Sequence, residues 1–302
     1  MVTKTRPPRK AVDGVLLLDK PKGMSSNGAL QSARRLLNAK KAGHTGTLDP
    51  MATGLMVLTF GEATKFSQML LDADKAYEAL VKLGVETDTG DAEGVVLATR
   101  EVTVSAEAVR AAAAGFVGEI EQIPPMYSAL KRDGKPLYEY ARAGVEVERS
   151  ARRVSIRSLQ VSDVASDTFV MRVECSKGTY IRTLAIDIGR VLGCGAHLAG
   201  LRRTGIGPFD LADALTLESL EAMPEAERMQ QLQAVDALLT HLPVLSLDAT
   251  QAGAILHGQA VQVAEGEGQV RVYGPAGFIG LAEYLAGRGV VPRRLVNTAE
   301  NA

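Results

Sequence analysis

The chain has 302 residues, 46% of them hydrophobic and 23% charged, which suits a globular protein of about two domains. Its two cysteines exclude a disulfide framework and a multi-cysteine metal site; both sit among apolar neighbours, as buried free thiols do. The net charge of -1 conceals segregation: residues 1–50 carry ten Lys/Arg against three Asp/Glu, residues 131–160 eight against four, and residues 211–250 one against seven. Such separation suits a polyanionic partner, although scattered surface charge gives the same counts. The apolar run at residues 15–18 is too short for a signal peptide or membrane span, so cytoplasmic residence is the default expectation.

Residues 1–12 read as a flexible basic arm, and residues 14–19 as a short buried strand stopped by Lys20-Pro21-Lys22-Gly23. Ser26 is placed to cap a helix over residues 27–38 whose apolar face is Leu30, Ala33, Leu36 and Leu37. After a loop, residues 55–60 form a buried strand and residues 64–71 a short helix. Tyr77, Ala79, Val81 and Leu83 alternate with polar residues, as in a half-buried strand; Tyr77 either fills the core or faces a pocket. A turn over residues 88–94 leads to a strand at 95–98, and Ser105 caps an alanine-rich helix. Lys131 to Pro136 is a basic turn before a helix at 137–142.

Residues 154–175 read as two strands, the second alternating Phe169, Met171, Val173 and Cys175 with charged residues. Thr179 is placed to cap a helix through residue 192, with Arg182 in its first turn. A cation there opposes the helix dipole, so Arg182 is either an exposed arginine at slight local cost or the neighbour of an anion. Gly193 and Gly195 end this helix, and residues 201–205 precede a strand. Residues 211–242 are polar and helical. From Leu242-Pro243 onward, a short helix capped by Asp248 and β segments at 261–263, 269–272 and 278–282 suggest a small β-rich second domain.

The loop skipped above, residues 43–55 (GHTGTLDPMATGL), concentrates three glycines, His44 and Asp49 before a hydrophobic run. Pro50 disfavours a helical Asp49, and glycines permit conformations closed to other residues. Taken alone, the loop is either a tight turn with a capping aspartate or a restrained backbone presenting a reactive carboxylate. No phosphate-binding Gly-Lys loop, complete dinucleotide fingerprint, nucleophile elbow or histidine spacing for zinc occurs. The remaining chemistry needs neither a metal nor a redox cofactor.

In order, the motifs at 14–26 (GVLLLDKPKGMSS), 43–58, 75–77 (KAY), 124–142 (PPMYSALKRDGKPLYEYAR), 175–189 and 201–209 resemble those of the TruB family of tRNA pseudouridine synthases. Together they cover most of residues 12–210. Ile186 departs from the acidic pair that family members often carry beside Asp187. The resemblance implies an α+β chain: a pseudouridine synthase fold over residues 13–243, with a mixed, mainly antiparallel sheet and flanking helices. A small PUA-like RNA-binding domain would follow over 244–302.

The resemblance further implies that Asp49 is the nucleophile, that Tyr77 stacks on the target uracil or serves as a base, and that Arg182 pairs with Asp49. Leu201 would line the pocket, His44 would fill the gap left by the flipped base, and Lys20 and Lys131 would bind the RNA. The expected substrate is the T-arm of tRNA, with no cofactor, no metal and no membrane, and the protein acting as a monomer. The alternative is an RNA-binding or tRNA-folding protein that uses the same basic cleft without catalysis.

Overall fold

Alternation of apolar and polar residues is realised as one large sheet, which in the computed structural model is described, with the rest of the chain, over residues 8–264 and 266–297. Its main path runs through strands Leu215–Thr216, Gly14–Lys20, Thr53–Phe60, Ala196–Ile206, Lys75–Leu83, Thr168–Cys175, Arg152–Ser162 and Gly118–Gln122. Ala42–His44 and Phe209–Asp210 pair on at its sides. Pairing is antiparallel except where Gly14–Lys20 meets Leu215–Thr216 and Thr53–Phe60 meets Ala196–Ile206. The sheet is therefore mixed and mainly antiparallel.

Two helices cover different stretches of the sheet. Ser26–Leu36 packs Ala29, Leu30 and Ala33 against Leu16, Leu18 and Met56, while Ile181–Val191 packs Leu184, Ala185 and Ile188 against Ala79, Val81 and Leu198. Each helix buries one stripe, as the spacing of its apolar residues requires. The seam between these two cores lies where Tyr77 and Leu201 touch both. A second sheet of four strands, Val244–Ser246, Gln269–Gly274, Gly277–Leu285 and Gly289–Leu295, packs on helix Ala249–Leu256. It is tied to the first body by Arg271 to Asp236 (3.0 Å) and by Lys65 Nζ donating to the Leu295 carbonyl (2.9 Å).

Several local expectations are corrected. Of the expected basic arm, residues 1–7 lie outside the described residues. Residues 10–12 are fixed: Lys10 exchanges backbone hydrogen bonds with Asn38 and Lys40, and Val12 is buried. The first helix is capped by Ser25, which frees the buried Ser26 hydroxyl for another partner. Thr179 does not cap the later helix; its hydroxyl donates to the Ser176 carbonyl, and Tyr180 occupies the cap position without a side-chain bond. Residues 196–206 form one long strand that takes in 201–205, which were expected to precede a strand. Residues 211–242 hold only short helical pieces, and residues 261–263 contribute a single bridge, Val261 to Val290, instead of a strand. Asp248 does cap its helix, in a full capping box with Gln251.

Candidate active site

Asp49 sits on an irregular backbone whose neighbours are anchored. Leu48, Met51 and Ala52 are buried, so their side chains hold the loop against the core while Asp49 faces a cleft. The Ser26 hydroxyl accepts from the Leu48 amide (2.8 Å) and donates to the Leu48 carbonyl (2.9 Å), clamping the peptide before Asp49. The Asp49 carbonyl accepts from the Ala52 amide (3.1 Å), closing the turn. Gly54, at φ +103°, lets the chain leave this turn: a Cβ there would lie 2.3 Å from the Arg203 carbonyl oxygen.

Arg182 is only 5% exposed. Its Nη2 lies 3.0 Å from Asp49 Oδ2 and its Nη1 3.5 Å from Asp91 Oδ2. It also donates to the carbonyls of Thr89 (3.0 Å) and Tyr127 (2.5 Å). The exposed-arginine alternative is thus removed, and the helix dipole's cost is met by two carboxylates. Asp91 is itself buried and held by the Thr89 hydroxyl (2.7 Å) and the Glu93 amide (3.1 Å). Burial pushes the Asp49 carboxyl above the ordinary carboxylate range; Arg182 pulls it down and Asp91 pushes it up again. The result is a poorly solvated carboxylate held beside a fixed cation.

Tyr77 and Leu201 line the same cleft from adjacent strands, opposite Thr179, Tyr180 and Ser128. Burial raises the Tyr77 phenol above its ordinary value, so Tyr77 holds its proton and is poorly suited to act as a base. His44 ends strand Ala42–His44 at the entrance to the loop, where its Nδ1 accepts from the Gly46 amide (3.4 Å). Burial and the nearby Arg203 depress its pKa, keeping the ring neutral.

The structure therefore gathers Asp49, Tyr77, Arg182 and Leu201 in one cleft, with His44 at the start of the loop. Lys131 lies apart on an exposed hairpin, residues 131–136, whose Asp133-Gly134 turn has positive φ at both residues. Lys131 is exposed and follows Ala129, which lines the cleft, by two residues. Lys20 is a correction. It is fully buried and its ammonium donates to the carbonyls of Pro21, Met24 and Pro50, leaving nothing to offer a substrate. Burial lowers its pKa to about 8.

Sequence reasoning passed over Asp91, Tyr180 and Arg203, and gave Ser26 only a capping role. Tyr180 enters the cleft because the buried Gln122 side chain bonds both its amide (3.0 Å) and its carbonyl (3.3 Å). Its place two residues before Arg182 was the available signal. Asp91 looked like one more turn acid, and nothing local marked it.

A carboxylate paired to a buried arginine beside a tyrosine, on a mixed sheet with an appended β domain, defines the class. Family models agree along the chain: "TruB family pseudouridylate synthase (N terminal domain)" matches residues 34–181, "tRNA pseudouridylate synthase B C-terminal domain" 182–243, and "Pseudouridine synthase II TruB, C-terminal" 243–296. The chain is 63% identical over 295 residues to the tRNA pseudouridine synthase B of Aromatoleum aromaticum, covering 97% of this chain and 96% of that protein. It is 62% identical over 292 residues to the protein of that name from an Azoarcus species, covering 96% and 97%. This chain belongs to the TruB family of pseudouridylate synthases. Among solved structures it resembles a chain of a Cbf5–Nop10–Gar1 complex, with a TM-score of 0.72 and 26% identity over 96% of this chain and 87% of that one. Among the described residues no helix is long and apolar enough to cross a membrane.

Proposed function

We propose that this enzyme converts a T-loop uridine of tRNA to pseudouridine, with Asp49 as covalent nucleophile, and that it works as a monomer in the cytoplasm. The observation that carries the reading is Asp49 Oδ2 held 3.0 Å from a buried Arg182 in a cleft walled by Tyr77 and Leu201. Isomerisation requires breaking N1–C1′, turning the base and joining C5 to C1′. Asp49 attacks either C1′ of the ribose or C6 of the uracil, dividing one hard step into two easier ones. The uridine must leave its stack to reach the cleft, at a cost of a few kcal/mol, and stacking on Tyr77 returns ~1–3 kcal/mol of it. His44, at the start of the loop that carries Asp49, would occupy the gap left by the base. Exposed Lys22, Lys40, Lys41 and Lys131 offer phosphate contacts without base readout.

A folding protein would need the basic surface but not the Asp91–Arg182–Asp49 chain, whose arginine and Asp91 are buried. Asp49→Asn is expected to abolish pseudouridine formation on unmodified tRNA, mapped without added metal or cofactor, while tRNA affinity stays within a few-fold of wild type. Pseudouridine at the normal rate in that variant would remove Asp49 from the chemistry.

A further inference from the structure

Among the described residues, two buried side-chain polar atoms have no hydrogen-bond partner, Ser128 Oγ and Arg228 Nε. The Arg228 guanidinium still donates through its other nitrogens to the carbonyls of Leu36 (3.0 Å) and Glu221 (2.8 Å). Of the two, Ser128 alone is left with a wholly unpartnered side chain. It is 5% exposed, and it lines the same cleft as Asp49, Tyr77 and Arg182. An unpaired buried hydroxyl costs stability, and alanine in its place would avoid that cost. Such a cost at the wall of a cleft that holds a paired carboxylate points to a partner that arrives with the substrate.

The backbone around this hydroxyl is fixed. The Ser128 amide donates to the Met126 carbonyl (2.9 Å), and its carbonyl accepts from the Tyr138 amide (3.1 Å). One residue earlier, the Tyr127 carbonyl accepts from Arg182 Nη2 (2.5 Å), which ties Ser128 to the cation that holds Asp49. Rotation about χ1 is the freedom left to the side chain, and it re-aims the oxygen without moving the chain. The other polar side chains of the cleft are accounted for. Asp49 and Arg182 face each other, the Thr179 hydroxyl donates to the Ser176 carbonyl (2.9 Å), and Thr47 is exposed to water. The Tyr180 phenol is near enough to Ser128 to feel it, yet no hydrogen bond joins them.

We propose that Ser128 is a substrate-binding residue whose hydroxyl hydrogen-bonds the polar edge of the flipped uracil, and keeps that edge bonded before and after the base turns. The inference rests on the cleft being the uridine site, and it holds for either point of attack by Asp49. Tyr77 and Leu201 suit the apolar faces of a flat base, so its edge, O2, N3–H and O4, needs polar partners once water is gone. Turning the base about the line through C6 and N3 exchanges N1 with C5, and O2 with O4. A donor that served one carbonyl oxygen before the turn therefore serves the other after it. A hydroxyl also accepts, so it can take the N3–H in between. One rotatable group thus retains the base while its bond to the ribose is remade.

The test is single-turnover pseudouridine formation on unmodified tRNA with the enzyme below saturation, so that a loss of binding and a loss of rate both register. Urea unfolding, and affinity for tRNA whose target nucleotide is abasic, are measured alongside. Ser128→Ala is expected to slow the reaction by about three- to tenfold, the worth of one neutral hydrogen bond. It is expected to unfold at the same or a higher urea concentration than wild type, because an unpaired hydroxyl has gone. Ser128→Cys, close in size but weak in hydrogen bonding, should be slowed as the alanine variant is. Both variants should bind the abasic tRNA as wild type does, since the contact is to the base. A wild-type rate for Ser128→Ala would overturn the proposal. A clear loss of stability in that variant would also overturn it, by showing that the hydroxyl serves the fold. A wild-type rate for Ser128→Cys would show that only the shape of the side chain matters, and abasic binding weakened by the same factor as the rate would place the contact away from the base; either result overturns it. An Asp49→Asn variant that still isomerises would instead remove the underlying reading, whatever the Ser128 variants do, so the two failures are distinguishable.

Discussion

Arg182 offers the sharpest stability test because its four acceptors are all identified. Replacing it by Met leaves Asp91 buried without its cation, Asp49 unpaired, and the Thr89 and Tyr127 carbonyls without their donor. Breaking a buried ion pair by removing one partner costs ~3–5 kcal/mol, because the remaining charge is uncompensated. The exposed Arg172–Glu78 pair, with side chains 63% and 42% exposed, is worth ~0–1 kcal/mol by comparison. The loss at Arg182 is a large share of the ~5–15 kcal/mol that typically separates native and unfolded states. Urea unfolding at pH 7 should show it, and it should change little between 50 and 500 mM salt at about those concentrations, since buried pairs are weakly screened. A loss below about 1 kcal/mol would mean that the pair behaves as a surface pair, and the description of the site would fail. Asp49→Asn should have the opposite sign. Burial holds the Asp49 carboxyl above its ordinary 3.8, so the native state keeps that proton at pH values where the unfolded chain has released it. This group's contribution therefore falls as pH rises from the unfolded pKa through the folded one. At pH 7, Asp49→Asn should unfold at the same or a higher urea concentration than wild type while being inactive.

Ser26→Ala removes both hydrogen bonds that clamp Leu48, and should cost ~1–3 kcal/mol while lowering the single-turnover rate more than tRNA affinity. Equal effects on rate and affinity would show that the clamp does not position Asp49. Lys20 should give an alkaline signature, because burial brings its pKa from 10.5 down to about 8. Between those values the unfolded chain is protonated and the native chain is not, so stability rises with pH, by roughly 3 kcal/mol for this group. Lys20→Met should flatten that rise in urea unfolding between pH 7.5 and 10.5, at about those limits, and parallel curves would refute the assignment.

Elements with a clean period were legible in the sequence. Phe169, Met171, Val173 and Cys175 alternate on paper and are all buried in the sheet. The 43–55 loop stood out through its glycines, and the ordered motifs gave Asp49, Tyr77 and Arg182 their place. Strand Ala196–Ile206 was hidden because its pairing with Lys75–Leu83 shifts register at Leu198/Gly200 and again at Arg203/Gly205, which breaks the alternation. Strand Gly289–Leu295 carries Pro292, tolerable there because it is an edge strand. The burial of Lys20 and Arg203 was not legible, because residues of their type favour exposure. Their burial depends on Pro50, Leu55 and Tyr77, contacts fixed only by how the strands cross. Asp91 was hidden for the same reason, being 91 positions before the arginine it serves.

The long separation of these groups in sequence explains why so many side chains are committed to the backbone of one short loop. Tyr77, Leu201 and Arg203 stand on sheet strands and Arg182 on a helix, so their positions follow from regular structure. Asp49 alone sits on irregular backbone, so its place depends on how the peptides around it are held. The peptides around it are held one by one. Arg203 reaches the carbonyls of Gly46 and Thr47, Ser26 takes both polar groups of Leu48, and the Gly23 amide (2.8 Å) and Lys20 (3.4 Å) bond the Pro50 carbonyl. Two of these holders, Lys20 and Arg203, are buried cations, which fix the loop and bias the cleft towards negative charge together. A neutral donor would serve the first purpose alone, since it carries no net charge.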